Sequence, residues 1–308
     1  MTAKKVKKKR KYDLFDVVNV TFMLLLLAII IYPLYYTIIA SFSSSTAVAS
    51  GDLTFWPIGV NFNAYQQVFA YKQIWVGYAN SIFYTVVGTC WNLYLTIPTA
   101  YALSKKYLPH RGIIMTFFLI TMYFGGGLVP TYLQIKNMGL LDTRLVLTIL
   151  GGLSVYNLII CRTYFSNSIS ESLFEAADID GAGEFKKFLS IAIPLAKPII
   201  AVMVLYYAVG HWNSYFSAMI YTSSPELEPL QSVLRRILIQ NESALDEAMF
   251  ADQMANSGEA LKLAVERANL AYTMKYAMVF IASAPLLAAY PFVQKHFVKG
   301  VMIGAVKE

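Results

Sequence analysis

Long apolar runs free of charge alternate with short charged segments along this chain of 308 residues. No Asp, Glu, Lys or Arg occurs in residues 17–51, 73–104, 112–135, 145–161, 198–225 or 276–294. The shortest of these six runs holds 17 residues. At about 1.5 Å per residue that nearly crosses a hydrocarbon core of roughly 30 Å, with snorkelling flanks completing the span. Lipid offers peptide groups no partners, so runs of this length predict helices. The first span is expected from Phe15 to Ala40, with Pro33 inside it. The second runs from Val76 to Leu103, with Pro98 near its inner end. The third begins near Ile113 and meets Gly125-Gly126-Gly127 and Pro130. The fourth covers Leu145 to Tyr164, the fifth Ile199 to Thr222 and the sixth Tyr272 to Gln294. Three glycines and a proline break a helix. That break is therefore expected to be buried against another helix or to line a path. The pattern as a whole predicts an all-α membrane protein with six transmembrane helices.

Composition agrees. Only 14% of the residues are charged while 57% are hydrophobic, against about 25% charge in soluble domains. The first apolar run is too long for the core of a cleaved signal peptide, and no small-residue cleavage site stands out after it. Cys90 and Cys161 both lie inside apolar runs, where a small buried side chain is the plain reading and no disulfide framework is implied.

The net charge of +7 changes the picture through its placement. With the N-terminus in the cytoplasm, 17 of the 25 Lys and Arg residues fall on that side of the six spans. The positive-inside rule thus predicts a multi-pass protein with both termini in the cytoplasm. The basic run from Lys4 to Lys11 reads as an anchor against anionic lipid heads, not as a nucleic-acid tail. On the opposite face, residues 41–75 carry Trp56, Tyr65, Phe69, Tyr71 and Trp75 as interfacial aromatics. The longest polar segment there, residues 223–271, holds eight acidic residues. Leu230, Val233, Leu234, Ile237 and Leu238 recur in it at helical spacing and predict an amphipathic helix. This gives a basic tail over 1–14 and a membrane domain over 15–308, with a cytoplasmic loop at 166–197 and an outer loop at 223–271.

Candidate chemistry is sparse. His110, His211 and His296 are scattered, so no metal site is expected, and no catalytic constellation is present. Gly125 to Gly127 lack the Gly-Lys-Ser/Thr of a phosphate loop, so the chain is not expected to hydrolyse ATP. Within the spans, His211, Trp212, Asn213 and Tyr215 sit near the middle of the fifth, with Tyr156 and Asn157 in the fourth. Such polar and aromatic groups either line a solute path or bond helix to helix, and the sequence leaves both open.

The segment between spans four and five is more specific. Ser170 is placed to cap a helix and Glu171 to meet its dipole. Leu173, Phe174 and Ala177 form an apolar stripe, and Gly181 suits a left-handed helix end. A short helix of this kind is expected to need a partner's groove for its stripe. Phe185, Phe188, Leu189 and Ile191 are expected to pack back on the membrane base, and Pro194 and Pro198 to re-aim the chain into span five.

The string Glu175-Ala176-Ala177, Asp180-Gly181-Ala182, Phe188, Ile191, Pro194 and Pro198 resembles the EAA loop of binding-protein-dependent ABC importer permeases. Gly125 to Tyr132, Gly139 to Thr143, His211 to Phe216, Pro229-Leu230-Gln231 and the ending from Tyr290 to Val306 resemble the carbohydrate-uptake branch. Within it they look like the subgroup of Gram-positive bacteria that moves complex oligosaccharides, pectin- and alginate-derived sugars included. The resemblance implies the MetI-like type I permease fold. It implies a coupling helix made by Leu173, Phe174, Glu175, Ala176, Ala177, Asp180, Gly181 and Ala182, docked in a cleft of a cytoplasmic ATPase. It further implies two such ATPase subunits carrying ATP and Mg, a second permease making a heterodimer, an extracellular solute-binding lipoprotein and an oligosaccharide substrate. No cofactor is expected on this chain itself. A permease for a non-sugar solute is the nearest alternative. A secondary transporter would want charges deep in the spans, and a membrane enzyme would want clustered carboxylates or histidines. The six runs hold no charge.

Overall fold

A computed structural model describes residues 13–240 and 269–291, all of its regular structure helical. The basic tail up to residue 12, residues 241–268 of the expected outer loop and the end of the sixth expected span from 292 to 294 lie outside the described residues. The chain divides into two compact units, Met1–Val68 with Asn241–Phe280 and Phe69–Gln240 with Ile281–Glu308.

In the first unit, helix α1 (Leu14–Ser41) starts at a capping box formed by Asp13 and Asp16. Each residue satisfies a backbone donor at the helix start. The helix runs unbroken through Pro33, and only Ile39, Ala40 and Ser41 are buried. Residues 17–34 are all exposed and, Asn19 and Thr21 apart, largely apolar, as a lipid-facing span requires. Two short helices follow, α2 (Ser45–Ala49) and α3 (Asn63–Ala70). Their loop folds over the end of α1, where Ile39, Ala47, Val48 and Leu53 make a small core with Tyr276 packed on it. Tyr65, expected as an interfacial aromatic, instead stacks on Phe42 at 5.1 Å and donates to Ser41 Oγ at 2.8 Å.

The second unit is organised around α4 (Lys72–Ser104), a helix of 33 residues. Its inward face buries Asn80, Ser81, Thr89, Asn92 and Thr96. Beside it lie α5 (Arg111–Tyr123), α6 (Leu128–Asn137), α7 (Arg144–Ile149), α8 (Val155–Ser168) and α9 (Glu171–Ile179). Then come α10 (Glu184–Leu195), α11 (Lys197–Trp212), α12 (Phe216–Tyr221), α13 (230–240) and α14 (Asn269–Pro291). The last of these begins in the first unit and ends in the second.

Among the described residues, α1 and α14 are each long and apolar enough to cross a membrane. The pairs α5 with α6 and α10 with α11 also qualify, bent by 110° and 79°. The α10–α11 bend falls at Ala196, between Pro194 and Pro198, as those prolines predict. α4 is about 50 Å long at 1.5 Å per residue, and its polar inner face is what lowers its hydropathy. Span four is not one helix: α7 and α8 are separated by Leu150-Gly151-Gly152-Leu153. Span five likewise breaks at Asn213–Tyr215, just after His211 and Trp212, which places these two in a last turn and not mid-helix.

The glycine break after α5 differs from expectation. Phe124 to Pro130 are all exposed, so among the described residues nothing covers Gly125, Gly126 and Gly127. The helix predicted from Leu230, Val233, Leu234, Ile237 and Leu238 is present as α13, and the first four are buried. Leu230 sits so close to α4 that a Cβ at Gly77 would lie 3.0 Å from its Cα. Asn80 donates to the Glu226 and Glu228 carbonyls at 2.7 and 3.0 Å, and Tyr84 to that of Leu227 at 2.8 Å. At the same end, Asp142 takes a positive φ of 54°. Its carboxylate accepts from the Ser223 and Ser224 amides at 2.8 and 2.9 Å, and from Ser224 Oγ at 2.5 Å. These bonds, the Ser224 hydroxyl first, hold the Asp142 carboxyl below the usual range.

Candidate functional site

The segment 166–197 folds onto the ends of α4 and α8. Helix α9 begins after Ser170, whose hydroxyl pairs with Ser172 Oγ at 2.7 Å and does not cap the helix. Glu171 sits in the first turn and pairs with Lys106 at 2.6 Å, which lowers its pKa. The helix ends on a left-handed Gly181 with φ +71°. The Ala182 amide donates to the Ala177 carbonyl at 2.8 Å and the Gly181 amide to that of Asp178 at 3.0 Å. These paired bonds satisfy the last free carbonyls and define a Schellman end, so the predicted stop is made as the glycine implies.

The apolar stripe is split, contrary to expectation. Phe174 and Ala177 are buried in this chain's own core. The Phe174 ring lies 6.0 Å from that of Tyr101, with the Lys105 ammonium 3.0 Å above it. Phe188 and Ile191 join the same core, whereas Phe185 and Leu189, expected there too, are exposed. The ammonium of the buried Lys187 bonds to Asp178 and, at 2.5 Å, to Glu184. Those bonds raise its pKa, the Asp178 contact most, so it remains charged. Glu184 also accepts from Tyr107 at 2.5 Å. Its partial burial opposes ionisation, but the Lys187 and Tyr107 hydrogen bonds outweigh that and lower its pKa. Phe174 and Lys187 thus fix α9 from beneath. Leu173, Glu175, Ala176, Ile179, Asp180 and Gly181 are left facing outward, with Ile179 88% and nearby Phe185 75% exposed.

The second region is a cavity of about 300 Å³ where the α7–α8 break meets α4 and α11. Asn92, Ser154, Asn157, Tyr207, His211 and Ser214 are among its lining residues. Asn92 Nδ2 donates to the Gly151 and Gly152 carbonyls at 3.2 and 2.8 Å. Its Oδ1 is then the acceptor, so His211 Nε2, 2.7 Å away, carries the proton. The Ser154 amide donates to the Tyr207 hydroxyl at 3.4 Å, and that hydroxyl also shares a hydrogen bond with Thr96 Oγ1 at 2.7 Å. Backbone groups freed by the break are thereby satisfied from α4 and α11, the condition for irregular backbone at membrane depth. Close approach makes this possible. A Cβ at Gly88 would lie 2.4 Å from the His211 ring, and one at Gly152 2.7 Å from Trp91 Nε1.

The residues expected to line a path therefore separate. Asn157 and His211 reach the cavity. Trp212 is buried and donates Nε1–H to the Ala282 carbonyl at 2.9 Å, a packing role. Asn213 is exposed at the end of α11, and Tyr156 is exposed away from the cavity. Tyr215 lines a different hollow of about 340 Å³ between α12 and α13, with the Arg235 guanidinium 4.8 Å over its ring.

Comparison with known proteins decides what carries these features. Residues 74–303 match the family described as the binding-protein-dependent transport system inner membrane component. The chain belongs to this family. Being a member of it, the chain is a membrane-embedded ABC transporter permease subunit with the MetI-like fold. It is 38% identical to the protein LplC of Bacillus subtilis strain 168, over 95% of each chain. It is 35% identical to the polygalacturonan/rhamnogalacturonan transport system permease protein YtcP of the same strain, over 96% of this chain and 99% of the other. It also resembles a solved structure described as a bacterial ABC transporter involved in the import of the acidic polysaccharide alginate. The TM-score is 0.78 and the identity 33%, covering 95% of this chain and all of that one.

In the permease, the residues of this junction that sequence reasoning missed are Asn92, Ser154, Tyr207 and Ser214 on the cavity wall and Thr96, which bonds Tyr207. A signal for three of them was present: Asn92, Thr96 and Tyr207 are polar residues in otherwise apolar runs. Their partners lie 53 to 119 residues away in sequence, which periodicity does not reach. Among the described residues, no group of three or more His, Cys, Asp or Glu side chains lies together as a metal site would need.

Proposed function

We propose that the permease forms half of the translocation path of an ATP-driven, binding-protein-dependent importer of oligosaccharides. The observation that carries this reading is an outward-facing α9 anchored by Phe174 and Lys187 in a chain of this family. The sugar assignment is supported by the polysaccharide relatives named above and by the polar cavity at the α7–α8 break. Leu173, Glu175, Ala176, Ile179 and Asp180 are the surface offered to an ATPase cleft. Gly181 and Ala182 stop the helix there, while Phe174 and Ala177 hold it to the membrane base. Closure of two ATPase subunits would move α9 with the helices it is packed on, as a rigid body.

The uneven Lys and Arg distribution supports cytoplasmic termini. It also supports a basic tail over 1–14, a cytoplasmic coupling loop over 166–197 and an extracellular loop over 223–271. A second, different permease subunit would cover the exposed glycine break after α5, since uncovered peptide groups do not face lipid. A solute-binding lipoprotein would deliver sugar from outside. Of the expected path residues, His211 and Asn157, now with Asn92, are those assigned to the cavity wall.

The test is uptake of labelled oligosaccharides by cells carrying or lacking this chain, with the partner ATPase active or inactivated. Sugar uptake that needs both is the expected result. Uptake of an unrelated solute in its place would move the assignment to a non-sugar importer, and uptake indifferent to the ATPase would overturn it.

A further inference from the structure

A hollow of about 470 Å³ lies where α4 and α8 end and α5 and α9 begin. Lys105, Lys106, Arg111 and Arg162 line it, with Glu171 as the one carboxylate, already paired with Lys106. Arg162 uses its Nε on the Leu103 carbonyl at 3.1 Å. Lys105 stands over the Phe174 and Tyr101 rings. The lining thus holds an excess of three positive charges. The starts of α5 and α9 reach the same hollow, and neither has a side-chain cap, so both present unsatisfied amides and a positive helix end.

The depth of this hollow is written in the sequence. Lys105 follows a charge-free run that ends at residue 104, Arg111 precedes one that starts at 112, and Arg162 follows one that ends at 161. Three of the four cations are the first charges beyond the hydrocarbon of three different spans, the level at which phospholipid headgroups lie. Just above Arg111, α5 exposes Ile113, Phe117 and Ile120 in one line, a wall against which an acyl chain lies. Basic pockets between span ends are sites for anionic headgroups.

We propose that this hollow binds the phosphate of an anionic phospholipid, whose acyl chains run along the exposed face of α5. Burial lowers the Lys105 pKa, so an incoming phosphate relieves a desolvated cation. Glu171 and Phe174 of α9 line the same hollow. The bound headgroup therefore becomes part of the seat of this helix, and seating of α9 follows the anionic lipid content of the membrane.

The test uses the purified importer complex and counts retained lipid by native mass spectrometry after incubation with phosphatidylglycerol, phosphatidylcholine or inorganic phosphate. Phosphatidylglycerol is expected to be retained at least about tenfold over phosphatidylcholine, and millimolar inorganic phosphate not to displace it. In K105Q/R111Q that preference falls below about twofold, and K105R/R111K restores it. Equal retention of the two lipids by the unaltered complex overturns the proposal, whether or not any variant assembles. Displacement of lipid by inorganic phosphate would make the occupant a free anion, and an ATPase side chain filling the hollow in the intact complex would make it a protein seat; either overturns the lipid assignment. None of these results depends on which solute is transported.

Discussion

A methyl group at Gly88 would meet the His211 ring at 2.4 Å. Gly88→Ala is therefore expected to push α11 from α4 and to break the Asn92–His211 bond. Overpacking of this kind costs about 1–3 kcal/mol, read as a lowered thermal midpoint of the assembled importer with a matching loss of uptake. Asn92→Leu tests the same junction by subtraction, leaving the Gly151 and Gly152 carbonyls and His211 without their partner. Each buried group orphaned in this way costs about 1–3 kcal/mol. A midpoint within one degree of the unaltered importer would show that the α7–α8 break is held some other way. Asp142 gives a pH test. Its pKa is depressed in the fold, so its contribution is complete above the unfolded value near 4. It is lost as pH falls through the lower folded value. Protection of the Ser223 and Ser224 amides from hydrogen exchange, taken against the intrinsic rate at each pH, is expected to fall below about pH 4 in the permease, and to be lower at every pH in D142N.

Among the elements, those set by local sequence were legible and those set by distant partners were not. The apolar runs located α1, α4 and α14, the Leu230 stripe located α13, and Pro194 with Pro198 located the turn into α11. The breaks at 150–154 and 213–215 were missed because both lie inside charge-free runs; Gly151-Gly152 in one and Asn213-Ser214 in the other were the local hints. The segment 166–197 was legible as a helix with a glycine stop. What its apolar stripe does was not, since Phe174 is buried against Tyr101 of α4, which Phe165 and Phe188 of two further elements pack on in turn. The element makes its own prediction. Gly181 holds a positive φ, and a β-branched residue there costs about 1–3 kcal/mol of strain. Gly181→Val is expected to lower recovery of the ATPase with the permease at least severalfold while membrane insertion is unchanged, and Gly181→Asn, which tolerates this conformation, to lose less. Equal recovery with both variants would remove the Schellman end from the account.

At the scale of the whole molecule, α9 joins two requirements that pull apart. It must be rigid toward the spans, which Phe174, Ala177 and the Lys187 pairs provide. On the proposed function it must also be open toward an ATPase, and Leu173, Ala176 and Ile179 are the exposed apolar side chains that would meet one. A permease built this way would transmit motion without carrying the chemistry that drives it. Site-specific photo-crosslinking from Ile179, the most exposed apolar side chain of α9, tests that division most directly. With the complete importer in native membranes, a photoreactive residue at position 179 is predicted to form an adduct with the ATPase subunit. Adducts with lipid alone, or labelling of that position by a membrane-impermeant reagent added outside intact cells, would contradict it.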